Sequence, residues 1–278
     1  MSATNMTATD MSATDSPASP VQFEVRDGIA LLTLNRPRVR NAIDDATRDE
    51  LIAALARIER DASVRALVLT GAGPAFCAGG DLRGMSERLQ APPGQVAFNG
   101  WRRMQRVHAT VSALHGLSKP TIAAVNGPAS GLGCDLALCC DFIIASEAAT
   151  FAMSYVLRGL IPDGGGMYFL PRRVGLARAK ELIFSGRTVA AAEALSIGMI
   201  ERVGATAALV TDALAWAAAL SQGSAAALAL SKSIMNESFE HSMDEVFARG
   251  SQAQAICYTT EEHRDAVAAF LRKTKPDA

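Results

Sequence analysis

Twice in this chain a short, unbroken apolar run leads into a glycine-rich corner and then into a helical pattern. ALVLTG runs into AGPAFCAGGDLRGM, and TIAAV runs into NGPASGLGCDLALCC. An apolar run without polar alternation reads as a strand buried on both faces. A glycine corner entering a helix presents unpaired backbone N–H groups, which are oriented donors for negative charge. Two such corners converging on one oxygen would stabilise charge building on a carbonyl. Read singly, each corner is an ordinary set of turn glycines. The repetition, with Asp135 just beyond the second corner, favours the functional reading.

Around these corners strand and helix alternate. VQFEVRDGIALLTL predicts a hairpin turning at Asp27-Gly28, with Ile29 to Leu34 as its second strand. Asp44 is placed to cap a helix whose apolar face holds Leu51, Ile52, Leu55 and Ile58. DFIIASE predicts a third buried strand. Residues 86–100, with Pro92-Pro93-Gly94, predict a variable loop. A helix is expected from Trp101 to Leu117, stopped at Lys119-Pro120. Helices fill the last third, from LARAKELIFSG through EEHRDAVAAFLRK. The expected class is α/β, with a disordered tail over 1–20, a core over 21–210 and a helical part over 211–278. A doubly wound nucleotide fold is excluded, because NRPRVRNAID follows the first strands without glycines and GAGPAF lacks the third glycine of the fingerprint.

Net charge is -1, without the basic excess that a nucleic-acid partner requires. The first 20 residues hold no Lys or Arg and no apolar run, unlike a signal or transit peptide. The charge-free stretch Ala213–Ser231 is mostly alanine, too weakly hydrophobic for a membrane span. The cysteines at 77, 134, 139, 140 and 257 lack paired metal-ligand spacing and read as reduced thiols of a cytoplasmic protein. The four histidines show no ligand spacing, and no His-Asp partner marks Ser154 or Cys134 as a nucleophile. Arg172-Arg173 and Arg178 read as a solvated helix face.

LTLNRPRVRNAID, GAGPAFCAGGDLRGM, KPTIAAVNGPASGLGCDLALCCD, GLIPDGGG and the terminal AFLRKTKP occur in that order. Together they resemble the enoyl-CoA hydratase/isomerase (crotonase) superfamily over about residues 21–276. The resemblance implies a spiral of ββα units with a C-terminal helical part, assembled as a homotrimer or homohexamer. It implies an acyl-CoA substrate and no cofactor or metal, coenzyme A being part of the substrate.

The same resemblance assigns roles. Backbone N–H groups of Gly80 and Leu132 match the pair that grips the thioester oxygen. Asp81, Leu82 and Arg83 match the strip beside the coenzyme, and Asn41, Ala42 and Ala78 its adenine and pantetheine surroundings. Phe270 and Lys273 match C-terminal residues that approach coenzyme A, with an apolar helix face and a solvated lysine as the plain alternatives. Hydratases of the family use two glutamates around a water. The first matches Asp135, and the second matches Tyr155, a poor base at neutral pH. Asp163 resembles an acid of some isomerases of the superfamily. The alternatives are a helix N-cap for Asp163 and a buried, hydrogen-bonded acid for Asp135. The expected activity is a double-bond shift with Asp163 and Asp135 as proton-transfer groups and Tyr155 beside the substrate. Hydration by Asp135 is the rival, and an acyl-CoA-binding protein without turnover is a distant third.

Overall fold

In the computed structural model, which describes residues 19–273 (without the side chains of 88 and 273), the chain enters through the expected hairpin. Strands β1 (Val21–Arg26) and β2 (Ile29–Leu34) pair antiparallel, and Asp27 and Gly28 turn with φ of 49° and 78°. The segments 1–18 and 274–278 lie outside the described residues, and with them most of the expected tail. Helix α1 (Asp45–Arg60) starts where Asp44 caps it, its side chain accepting from the Thr47 N–H at 2.8 Å. Leu51, Leu55 and Ile58 are buried from that helix, while Ile52 is half-buried.

Next come β3 (Ala66–Gly71), α2 (Leu82–Leu89), α3 (Pro93–His115), β4 (Thr121–Val125), β5 (Ala129–Ser130) and α4 (Leu132–Leu138). They are followed by β6 (Phe142–Ser146), β7 (Thr150–Ala152), α5 (Gly166–Val174), α6 (Leu176–Ser185), β8 (Thr188–Ala190) and α7 (Ala191–Ser196). The described chain ends through β9 (Arg202–Gly204), α8 (Leu209–Leu220), α9 (Ala225–Asn236), α10 (Met243–Tyr258) and α11 (Glu261–Lys273).

The main sheet runs β1-β2-β3-β4-β6-β9, parallel from β2 onward. Its strands are covered on both faces, which explains their unbroken apolar runs. Leu32, Leu34, Leu67, Leu69, Ala123 and Val125 point into the larger core. The alternate residues Leu31, Val68, Ile122 and Ile144 meet Leu209, Ala213 and Ala217 of α8. A second sheet, β5-β7-β8, is built from strands of two or three residues, too short to leave a periodic signal.

The loop expected over 86–100 is a correction. Those residues are mostly helical, because Pro93 stands at the first position of α3, where a missing N–H breaks no hydrogen bond. Arg173 is a second correction. It reaches back to the carbonyls of Leu138 and Cys140 at 3.4 and 2.8 Å and to Glu201 at 2.7 Å. The Leu138 carbonyl ends α4 and that of Cys140 lies two residues beyond it, where helical partners have run out. A Lys232–Asp141 ion pair at 2.7 Å ties α9 to the core, and Asp141 also accepts from the Thr121 N–H at 2.8 Å. No single helix among the described residues is long and apolar enough to cross a membrane; α8 and α9 bend by 101°.

Candidate active site

The two glycine corners come together edge to edge. The Ser130 N–H donates to the Cys77 carbonyl at 2.9 Å, and the Cys77 N–H donates to Pro128 at 3.2 Å. The first corner is also held from its other side, by Ile43 to Gly79 at 2.8 Å and Asp81 to Ile43 at 3.0 Å. Among the described residues, neither the Gly80 N–H nor the Leu132 N–H donates to a protein acceptor. Leu132 opens α4, so its N–H is one of the groups a helix start leaves unpaired.

Both residues line one cavity of about 270 Å³. Met85, Met104, Leu160 and Ile161 give it apolar walls, and Tyr155, Asp163 and Arg103 supply its polar side chains. A smaller groove continues past Gly80 to Ala78, Leu82, Ser154 and Arg158. The expected Gly80, Leu132, Tyr155 and Asp163 are therefore brought to one space, with Ala78 and Leu82 at its side.

Asp163 is not a helix cap. Gly165 takes that position, with no side-chain cap bond, and α5 begins at Gly166. The Asp163 carbonyl accepts from His108 Nε2 at 2.9 Å, which ties the loop to α3 where Asp163 lines the cavity. Burial raises the Asp163 pKa above the usual carboxylate value, and the charges of His108 and Arg103 offset part of that rise.

Asp135 lies elsewhere. It has 0% exposure and does not border the cavity. Oδ2 accepts from the Tyr155 hydroxyl, and the Gly166 backbone N–H beside the carboxyl favours its charged form. The Asp-Gly-Gly-Gly corner closes over this carboxyl. A Cβ on Gly166 would stand 2.6 Å from Oδ1, and one on Gly164 would meet Oδ2. Burial pushes the Asp135 pKa up to about 7, with the Tyr155 hydroxyl working against the shift. The Tyr155 phenol is in turn pushed well above its ordinary value by burial and by the Asp135 charge.

Other sequence-predicted residues fall outside the cavity. Asn41 is 1% exposed, and its amide is spent on the chain: Nδ2 donates to Ala72, Ala75 and Phe76 carbonyls at 2.9, 2.8 and 3.2 Å. Ala42 is half-buried beside it. Asp81 bonds Arg36 at 3.2 Å and accepts from the Arg83 N–H at 3.0 Å; with Arg83 it borders a neighbouring depression. Phe270 is 67% exposed on α11 and is not among the residues lining the cavity, and the Lys273 side chain lies outside the described residues. Ser154 bonds the Ser130 hydroxyl at 2.8 Å rather than a histidine. Cys77, Cys134, Cys139 and Cys140 are buried, and burial pushes the Cys77 thiol up to about 12. No group of three or more potential metal-ligating side chains occurs among the described residues.

Arg103 is the residue that sequence reasoning missed. Its guanidinium lies against the first corner, 2.7 Å from where a Gly80 Cβ would be. Its one sequence signal is position: it stands one turn before the buried Val107 on α3, so it shares the inward face.

Known proteins are similar to this chain. A profile of the enoyl-CoA hydratase/isomerase family matches residues 24–278. The chain belongs to this family. A probable enoyl-CoA hydratase of Mycobacterium tuberculosis is 35% identical over 89% of this chain and 93% of its own. The 1,2-epoxyphenylacetyl-CoA isomerase of Escherichia coli K12 is 37% identical over 91% and 95%. The crystal structure of an enoyl-CoA hydratase/isomerase from Cupriavidus metallidurans CH34 superimposes with a TM-score of 0.85, at 36% identity over 92% of this chain and 95% of that one. The fold is thus the crotonase fold, and the protein is an enoyl-CoA hydratase/isomerase family enzyme acting on acyl-CoA thioesters.

Proposed function

We propose that this enzyme shifts a carbon–carbon double bond in an enoyl-CoA thioester, with Asp163 as its proton-transfer group. One observation carries the reading. Among the described residues lining the cavity that holds Gly80 and Leu132, Asp163 is the sole carboxylate. The position matching a hydratase's second glutamate is Tyr155, and Asp135 is shut behind it.

In this reading the N–H groups of Gly80 and Leu132 hold the thioester oxygen and acidify the adjacent carbon. The Asp163 carboxylate removes a proton from C2 of a 3-enoyl thioester. The electrons spread onto the thioester oxygen, and reprotonation at C4 leaves the conjugated 2-enoyl thioester. Burial supports this role, because a carboxylate with a raised pKa is a stronger base. The further proposals are a cytoplasmic location and assembly as a homotrimer or homohexamer. The exposed Phe239, Phe247 and Phe270 support assembly.

A hydratase reading has its own support. Asp135 titrates near neutrality, which suits a general base, and relatives such as the Mycobacterium tuberculosis protein carry that name. Purified protein given a 3-enoyl-CoA and the matching trans-2-enoyl-CoA in parallel separates the two. The isomerase reading expects 2-enoyl product from the first, no 3-hydroxyacyl-CoA from the second, and a loss of about 10²-fold or more in Asp163→Asn. Rapid 3-hydroxyacyl-CoA formation would overturn it.

A further inference from the structure

We infer that Tyr155 is a second proton-transfer group of this site, linking the substrate's carbon chain to the buried Asp135 carboxyl. The inference rests on the isomerase reading of Asp163.

The geometry gives Asp135 a link to the cavity through Tyr155. Its carboxyl has no exposure, and Gly164 and Gly166 press against its two oxygens. Among the described polar side chains of the cavity, Tyr155 is the one bonded to this carboxyl. It borders the cavity, and its hydroxyl donates to Asp135 Oδ2. A buried phenol by itself is a poor base and a poor acid at neutral pH. A carboxyl behind it changes that. The phenolic oxygen can take a proton on the cavity side as its own proton passes to Oδ2, or give one up as Asp135 returns one. Full phenolate charge never has to build, and the proton rests on a group that titrates near pH 7.

A double-bond shift needs one proton removed at C2 and one delivered at C4. Asp163 takes the first: the C2–H bond breaks, and its electron pair moves toward the thioester oxygen. Tyr155 gives the second. Its O–H bond breaks, a C4–H bond forms from the C3=C4 electrons, and the enolate pair settles as C2=C3. This step starts with Asp135 protonated and the bond between the two side chains reversed from the one in the structure, so that Oδ2–H donates to the phenolic oxygen and its proton crosses as the phenol gives up its own. Asp163 ends neutral and Asp135 ends ionised, and exchange with solvent restores both. The division of labour places removal and delivery on two groups that line the same cavity.

The test is turnover of a 3-enoyl-CoA in deuterium oxide. Deuterium at C2 of recovered substrate reports proton removal, and deuterium at C4 of the 2-enoyl product reports delivery. Wild-type protein is expected to show both. Tyr155→Phe is expected to keep C2 exchange but to lose C4 delivery, and with it net isomerisation, by about 10²-fold. Asp135→Asn is the second variant, expected to give the same split without altering the tyrosine. C2 exchange and C4 delivery falling together in both variants would mean a structural role and overturn the relay. So would unchanged C4 delivery in Tyr155→Phe. If Asp163→Asn leaves C2 exchange intact, the isomerase reading of Asp163 fails, and the relay with it.

Discussion

Gly133 sits flat against Cys77: a Cβ on Gly133 would stand 2.7 Å from the Cys77 Cβ and closer still to its carbonyl oxygen. This close approach joins the first turn of α4 to the first glycine corner, and so fixes Leu132 relative to Gly80. The contact is made by backbone, which cannot rotate away as a side chain could. Gly133→Ala is therefore expected to destabilise the fold by about 1–3 kcal/mol through overpacking. It should also spread the two N–H groups, with a loss of turnover approaching the 10²–10³-fold typical of a missing oxyanion donor. Urea unfolding and kcat on an acyl-CoA substrate read the two effects separately.

Asp135 makes the fold itself pH-dependent. Its pKa rises from 3.8 to about 7 on folding, so between those values the native state binds the extra proton. The stability this contributes is fully present below pH 3.8 and is lost as pH rises through about 7. Asp135→Asn removes that dependence. Relative to wild type, its urea midpoint is expected to rise across that window and to level off above it.

Arg103 and Asp163 border the same cavity, and the arginine charge holds the Asp163 pKa below where burial alone would put it. In the proposed isomerisation Asp163 is a base only when ionised, so that reading expects activity to be lost as pH falls through its pKa. Arg103→Met is expected to move the acid limb of the kcat/KM profile to higher pH while leaving the fold intact. A limb that stays in place would separate Arg103 from the base.

Asn41 organises the chain around the first glycine corner. Its amide serves three carbonyls, and its backbone holds a φ of 58°. Asn41→Ala loses the donor and strains the backbone, with an expected cost of about 3 kcal/mol. Asn41→Gly loses the donor alone and should be about 1 kcal/mol less damaging. Thermal or urea unfolding of the pair tests this, with KM for the acyl-CoA as the control expected to move least.

Much of the architecture is legible in particular residues. Leu31 and Leu32, or Leu67 and Val68, face opposite ways into two cores, and that two-sided burial is what writes an unbroken apolar run. Asp44 marks a helix start because a carboxylate there meets unpaired N–H groups. The Pro92-Pro93 pair misleads, since proline breaks a helix interior but suits its first turn. Strands β5, β7 and β8 leave no pattern, as two or three residues are held by their neighbours rather than by their own alternation.

The same division holds at the site. The sequence by itself determined the family's chemistry, because the two glycine corners and the two aspartates are local features readable one segment at a time. Which aspartate lines the cavity depends on how distant segments pack. Asp163 borders the cavity, while Asp135 is sealed behind Tyr155 and pressed by Gly164 and Gly166. The tertiary structure also brought Arg103 in from α3 to the first corner. Burial and reach depend on segments far apart in the chain, and no pattern within one segment records what will pack against it.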